Sequence, residues 1–199
     1  MHEDEGLKTE GRIGMWLFIC TEIILFGGLF LLYAVYRMKN PADFHNAAQG
    51  QSRFLGTLNT SILITSSFFV ALALFFQQEK KIKTARLLLL GTIMSGLAFL
   101  GIKASEWSEK IVHGIYPAAP YLMSRPRGEI LYHGLYYLMT GLHALHVIAG
   151  TCIFCVVYIR LRREDMSRRF SAFFTNSGLY WHLVDIIWIF LFPLFYLIA

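Results

Sequence analysis

Three stretches of this chain place titratable side chains among apolar neighbours. Tyr180-Trp181-His182-Leu183-Val184-Asp185-Ile186-Ile187-Trp188 opens the last apolar run, and Thr140-Gly141-Leu142-His143-Ala144-Leu145-His146 lies inside the one before it. Glu22 stands alone in the first. His143 and His146 are three residues apart, as are His182 and Asp185, so each pair shares one face of a helix. That spacing suits a carboxylate that accepts from a ring nitrogen and holds the imidazole in place. Two such pairs facing each other are also a candidate zinc site, and histidines on facing helices are a candidate haem site. A lone buried carboxyl is a candidate proton relay. At mid-bilayer each of these groups costs about 2.5 kcal/mol or more unless it is paired or lines a cavity. They are therefore expected to face protein.

The elements that hold these residues are membrane spans. Of the 199 residues, 56% are hydrophobic and 16% charged, and the mean hydropathy is +0.51. A soluble domain carries about 25% charged residues. Five runs are long and apolar enough to cross a bilayer: 13–36, 58–76, 84–102, 132–158 and 176–198. Backbone groups in lipid must be satisfied within their own segment, so each run is predicted as a helix. The expected fold is an all-α, polytopic bundle of five transmembrane helices, forming one domain over 13–199 after a cytoplasmic tail at 1–12. The net charge of +5 sits in short loops, as in membrane proteins, and does not point to nucleic acid. Lys8, Arg12, Lys80, Lys81, Arg160 and Arg162 belong to the more basic side. That bias predicts a cytoplasmic amino terminus and a carboxyl terminus outside. The first run follows an acidic stretch (Glu3, Asp4, Glu5) and contains Glu22, so it reads as a mature span and not as a signal peptide. Cys20, Cys152 and Cys155 fall in apolar runs and read as small buried hydrophobes.

Helical rise converts these positions to depth. From the cytoplasmic ends of their spans, Glu22 and Asp185 lie at about 13 Å, His182 at about 9 Å, His146 at about 18 Å and His143 at about 22 Å. Glu106 belongs near the outer rim. Trp107 and Trp181 are expected as interfacial anchors. The three histidines differ in depth, which disfavours haem, and H-x-x-H with two carboxylates is a weak zinc pattern. An interhelical hydrogen-bond cluster that fixes packing accounts for the polar groups more simply. For Glu22 the plain reading is a neutral acid bonded to Asn59, Ser66 or Ser67. The functional reading is a proton relay or a lipid-contacting switch. Gly27-Gly28, Gly96 and Gly150 are read as sites of close helix approach.

These segments, in this order, resemble subunit III of the haem-copper oxidases. Met15-Trp16-Leu17-Phe18 with Glu22 and Phe26 is similar to the family's glutamate-bearing helix, and Leu58-Asn59-Thr60-Ser61-Ile62-Leu63 to its next helix. Ala104-Ser105-Glu106-Trp107 matches the end of the third. Thr140 to Gly150 resembles its TG-x-H-x-x-H-V-x-x-G pattern, and Tyr180 to Trp188 its W-H-x-V-D-x-x-W pattern. The long form of the family has seven helices. This chain resembles the short bacterial form, which lacks the first two.

The resemblance implies an accessory subunit of cytochrome c oxidase that is not catalytic by itself and binds no haem or copper. Those cofactors belong to partner subunits. It implies packing against oxidase subunit I, association with subunit II and other respiratory complex subunits, and residence in the bacterial inner membrane. It further implies bound structural phospholipid, support of proton uptake and protection against turnover inactivation. Carried over, Glu22 is the buried carboxyl near a lipid cleft. Asn59, Glu106, His143, His146, His182 and Asp185 form the inter-helix polar network. Two related readings stay open. Lys103-x-x-Glu106-Trp107 and Ile189-Phe190-Leu191-Phe192-Pro193-Leu194-Phe195-Tyr196 are similar to accessory proteins of nitric oxide reductase systems. Quinol oxidase subunit III is the other, and Glu22 and Asn59 argue against it. A stand-alone haem or transport protein would need a pocket of its own, and no helix pair broken by Gly and Pro supplies one.

Overall fold

The computed structural model describes the backbone of residues 2–163 and 167–198, with side chains for 13–163, 167 and 169–198. Lys8 and Arg12, which enter the orientation argument, and Glu3, Asp4 and Glu5 therefore lie outside the described side chains. The helices are α1 (His2–Lys39), α2 (Pro41–Gln49), α3 (Arg53–Gln78), α4 (Ile82–Val112), α5 (Pro120–Met123), α6 (Arg127–Arg162) and α7 (Arg168–Phe192). A π-helical turn, Pro193–Leu197, continues α7. No strand occurs among the described residues. α1, α3, α4, α6 and α7 are the membrane-spanning helices, so the protein is an all-α polytopic membrane protein.

α1, α3, α4 and α6 outrun the apolar segments that announced them at both ends, and α7 begins before its own. Hydropathy marks the stretch that lipid accepts, whereas the helix continues into polar residues that find partners. Ser52 starts α3 by accepting from the Leu55 N–H at 3.4 Å, and Ser167 starts α7 by accepting from the Phe170 N–H at 3.2 Å. Pro41 opens α2, where its missing N–H costs nothing. α2 then docks on α6. There the Asp43 carboxylate accepts from the Gly128 N–H at 3.1 Å and so caps the start of α6 across a long stretch of chain. Gly128 permits this approach: a Cβ there would stand 2.4 Å from Asp43 Oδ2.

α7 occupies the centre, packed on α1, α3 and α6, while α4 packs on α3 and α6. Of the most apolar window of α7, 56% is buried within the chain, against 11% for α1. The outward surface of α1 is therefore covered by lipid or by another protein. Gly96 and Gly150 allow the close approach expected of them, since a Cβ on either would press on Trp181 or Thr151. Gly27 and Gly28 do not, because nothing lies within 4 Å of where a Cβ would be. Cys20, Cys152 and Cys155 are exposed on the outward helix faces and not buried as expected.

Proline at 193 removes a backbone donor, and the chain widens into the π turn, closed by Ile198 N–H to Pro193 C=O at 2.9 Å. Carbonyls in this turn are met from two other helices. Tyr33 of α1 donates to Leu194 C=O at 2.6 Å, and Tyr132 of α6 donates to Phe195 C=O at 3.0 Å. The turn thus locks α1, α6 and α7 together and aims Tyr196 inward.

Candidate functional site

Two polar layers lie inside the bundle. The first spans its middle and holds most of the residues singled out in the sequence. Glu22 on α1 is 8% exposed, and its Oε2 stands 3.0 Å from Nε2 of His146 on α6. The other ring nitrogen of His146 is 2.8 Å from Leu142 C=O. A carbonyl only accepts, so Nδ1 carries a hydrogen and Nε2 is turned to the acid. Glu22 Oε2 thus lies within ion-pair distance of the ring without closing a hydrogen bond of ordinary geometry. Tyr180 donates to the His146 carbonyl at 3.0 Å, and the Phe26 ring packs edge-on against the imidazole. Glu22 therefore meets His146, and not Asn59, Ser66 or Ser67 as expected.

The pair expected between His182 and Asp185 does not form. His182 Nδ1 lies 2.6 Å from the Ser67 hydroxyl of α3. Asp185, 4% exposed, closes no hydrogen bond of ordinary geometry, with Ser67 beside it. His143 and His146 share a helix face but not an environment. His143 is fully buried, its ring between Phe99 and Trp188 at centroid distances of 5.5 and 5.1 Å. Neither of its nitrogens reaches a partner among the described residues, and neither side-chain polar atom of Asn59 does. Asn59 and His143 thus line the interior without joining a bonded network. α3 and α7 are fastened instead by Trp181 Nε1–H to Ser66 Oγ at 2.9 Å and Trp188 Nε1–H to Thr60 Oγ1 at 3.0 Å.

The two tryptophans expected as interfacial anchors differ in burial. Trp181 is completely buried between Gly96 and Gly150, because helices that meet at glycine leave room for an indole. Trp107 is partly buried against Tyr137, its ring N–H enclosed without a partner. Among the described residues, no three His, Cys, Asp or Glu side chains converge as a metal-ligand set.

The second layer lies toward the carboxyl-terminal end of α4. Glu106, expected from its depth near the outer rim, is 3% exposed within the bundle. Lys103, one helical turn earlier and 1% exposed, places Nζ 3.2 Å from Glu106 Oε2, 3.2 Å from the Tyr136 hydroxyl and 2.7 Å from the Tyr196 hydroxyl. All three ammonium donors are occupied. The Tyr136 hydroxyl donates to Glu106 Oε1, and Tyr196 is within 2.8 and 2.9 Å of its two oxygens. The rings of Tyr136, Trp188 and Tyr196 surround the ammonium at 5.0, 5.2 and 5.3 Å. A buried ion pair persists only with such additional bonds.

Of this group the sequence reading named only Glu106 as part of the network. The i, i+3 spacing of Lys103 and Glu106 was a usable signal. Tyr136 lies seven residues before His143, on the same stripe of α6, and was a weaker one. Nothing local announces Tyr196, whose position depends on the π turn.

A cavity of about 540 Å³ runs between α1 and α7. Its walls include Ile23, Phe26, Phe30, Leu183 and Phe190, and His182 is the one titratable side chain among its lining residues.

Comparison with known proteins agrees with this architecture. The family model of cytochrome c oxidase subunit III matches residues 2–199. Cytochrome c oxidase subunit 3 of Alkalihalophilus pseudofirmus is 30% identical, over 98% of this chain and 91% of the relative. A haem-copper oxidase subunit I+III of Aeropyrum pernix is also 30% identical, over 96% of this chain. The chain spans only 23% of that fused relative's length. A probable quinol oxidase subunit 3 of Staphylococcus aureus is 24% identical, over 94% of this chain and 89% of the relative. With a family match along its whole described length, the chain belongs to the cytochrome c oxidase subunit III family.

Proposed function

We propose that this protein is the accessory subunit III of a haem-copper terminal oxidase, a cytochrome c oxidase, in a bacterial inner membrane. It packs against the catalytic subunit I and carries no redox centre, and haem and copper reside in subunits I and II. The observation that carries this reading is the match of the whole chain to a family with a member fused to subunit I. Fusion keeps two chains side by side, and the outward apolar face of α1 offers a surface for such a neighbour. Of the polar groups that first read as chemistry, Glu22 meets His146, His182 meets Ser67 and Glu106 meets Lys103, and these contacts serve as internal fastening. The cavity between α1 and α7 suits a phospholipid acyl chain, which supports a role in lipid retention. Glu22, close to that cavity and paired with His146, is the group assigned to proton-uptake support. The amino terminus is assigned to the cytoplasm and the carboxyl terminus to the outside.

A second reading is the accessory protein of a nitric oxide reductase system. It draws on Lys103–Trp107 and the ending at Tyr196, which meet in the second polar layer. The decisive experiment is gentle purification from the native membrane and identification of what accompanies the chain. A copper-bearing subunit and an O₂-reducing subunit support the first reading. A nitric oxide reductase pair supports the second. An O₂-reducing subunit that takes electrons from quinol, without the copper-bearing partner, assigns the chain to the quinol branch.

A further inference from the structure

A second cavity, of about 250 Å³, opens at the carboxyl-terminal end of α4, between that helix and the turn joining α2 to α3. It is smaller than the roughly 300–1,000 Å³ of drug-sized sites and suits a small polar group. Its position is that of a headgroup. α4 has 31 residues, about 46 Å at helical rise, against a hydrocarbon layer of about 30 Å. The last turns of α4, which line the cavity, therefore stand in the polar layer of the membrane.

The walls carry charges of both signs. Lys110 is 8% exposed, yet its ammonium has only a long contact, 3.4 Å, to Gly50 C=O and a place 5.3 Å over the Tyr136 ring. Among the described residues no carboxylate lies within ion-pair distance of it. Glu106, also on the wall, is already matched by Lys103 and two tyrosines. Beside Lys110 are Ser52 and Leu55 at the start of α3, where the Leu55 N–H already donates to the Ser52 hydroxyl and what is left to an anion is the positive end of a 26-residue helix. Both features favour a negatively charged group. The opposite charge is Glu109, exposed at the rim with His113. Large apolar side chains flank the cavity and face outward: Phe54 on α3, Ile111 and Val112 on α4. They offer a path for chains attached to whatever sits inside.

We propose that this cavity seats a phosphoethanolamine-type lipid headgroup, its phosphate on Lys110 and the start of α3, its ammonium on Glu109. This rests on the membrane-subunit reading and adds a headgroup site at the end of the bundle, separate from the acyl groove beside α1.

The test uses the intact complex that copurifies with the chain, whichever oxidase or reductase that is, so failure of the partner assignment does not obscure the lipid result. The complex is stripped with detergent and placed in nanodiscs of phosphatidylglycerol containing phosphatidylethanolamine. Lipids retained on this subunit are counted by native mass spectrometry. Lys110→Gln is expected to retain one phospholipid fewer, its hold weakened about tenfold, and Lys110→Arg to keep it. Glu109→Gln is expected to keep a lipid but lose the preference for phosphatidylethanolamine. Equal counts in wild type and Lys110→Gln overturn the proposal, as does unchanged headgroup preference in Glu109→Gln. Displacement of the lipid by millimolar inorganic phosphate also overturns it, because the site then takes free phosphate. If Lys110→Gln fails to assemble, the exposed Glu109→Gln decides alone.

Discussion

The Glu22 carboxyl and the His146 imidazole stand 3.0 Å apart, joining α1 to α6 at the middle of the bundle. Phe26, packed edge-on against the same imidazole, is the other side chain that α1 buries beside it. Glu22→Gln keeps a polar group against Nε2. Assembly is expected to survive, and the turnover lifetime or lipid content of the complex to change more than its initial rate. Loss of O₂ reduction in a fully assembled complex contradicts this. Glu22→Ala strands the imidazole and is expected to cost about 1–3 kcal/mol in thermal unfolding of the subunit.

Lys103 and Glu106 should show a marked asymmetry between single and double replacement. Lys103→Met leaves a buried carboxylate with one fewer partner, and Glu106→Leu leaves a buried ammonium. Each is expected to destabilise by about 3–5 kcal/mol, while the double variant falls well short of the sum. Retention of the subunit in detergent during a thermal ramp reads the difference. Additive losses would show that the two groups do not stabilise each other.

Gly150 and Gly27 form an internal control for helix packing. A Cβ at Gly150 would stand 2.6 Å from the Trp181 ring, which is itself enclosed. Gly150→Ala is expected to cost about 1–3 kcal/mol through overpacking. Gly27→Ala meets nothing in the chain, so the isolated subunit should melt as wild type does. If Gly27→Ala weakens attachment to the complex, that face of α1 touches a partner or the lipid in the cavity that Gly27 lines.

Asp43 caps α6 from α2. Asp43→Ala is expected to lower stability by about 0.5–2 kcal/mol, the usual worth of an N-cap. Hydrogen exchange should localise the loss to the first turn of α6 and to α2. Protection loss elsewhere would assign Asp43 a different role.

Much of this protein is legible in its order of residues. The five spans follow from apolar length, because lipid admits only helices that satisfy their own backbone. Family membership follows from spaced patterns such as Thr140 to Gly150. That Glu22, His143 and Asp185 are buried follows from their place inside apolar runs, since each would be costly facing lipid. Partner choice is a different kind of information. Whether His182 meets Asp185 or Ser67 depends on how α7 is rotated against α3, and hydropathy says nothing of rotation. Trp181 looked like an anchor because tryptophan favours interfaces, but Gly96 and Gly150 open a slot that buries it. Lys103 lies just past the end of the apolar run 84–102. Only the fold supplies Tyr136 from α6 and Tyr196 from the π turn, 93 positions away from the lysine, and makes that position an interior site. Burial cost is a property of one side chain and can be read locally. Satisfaction of that cost requires groups from other helices, and their meeting is decided by packing alone.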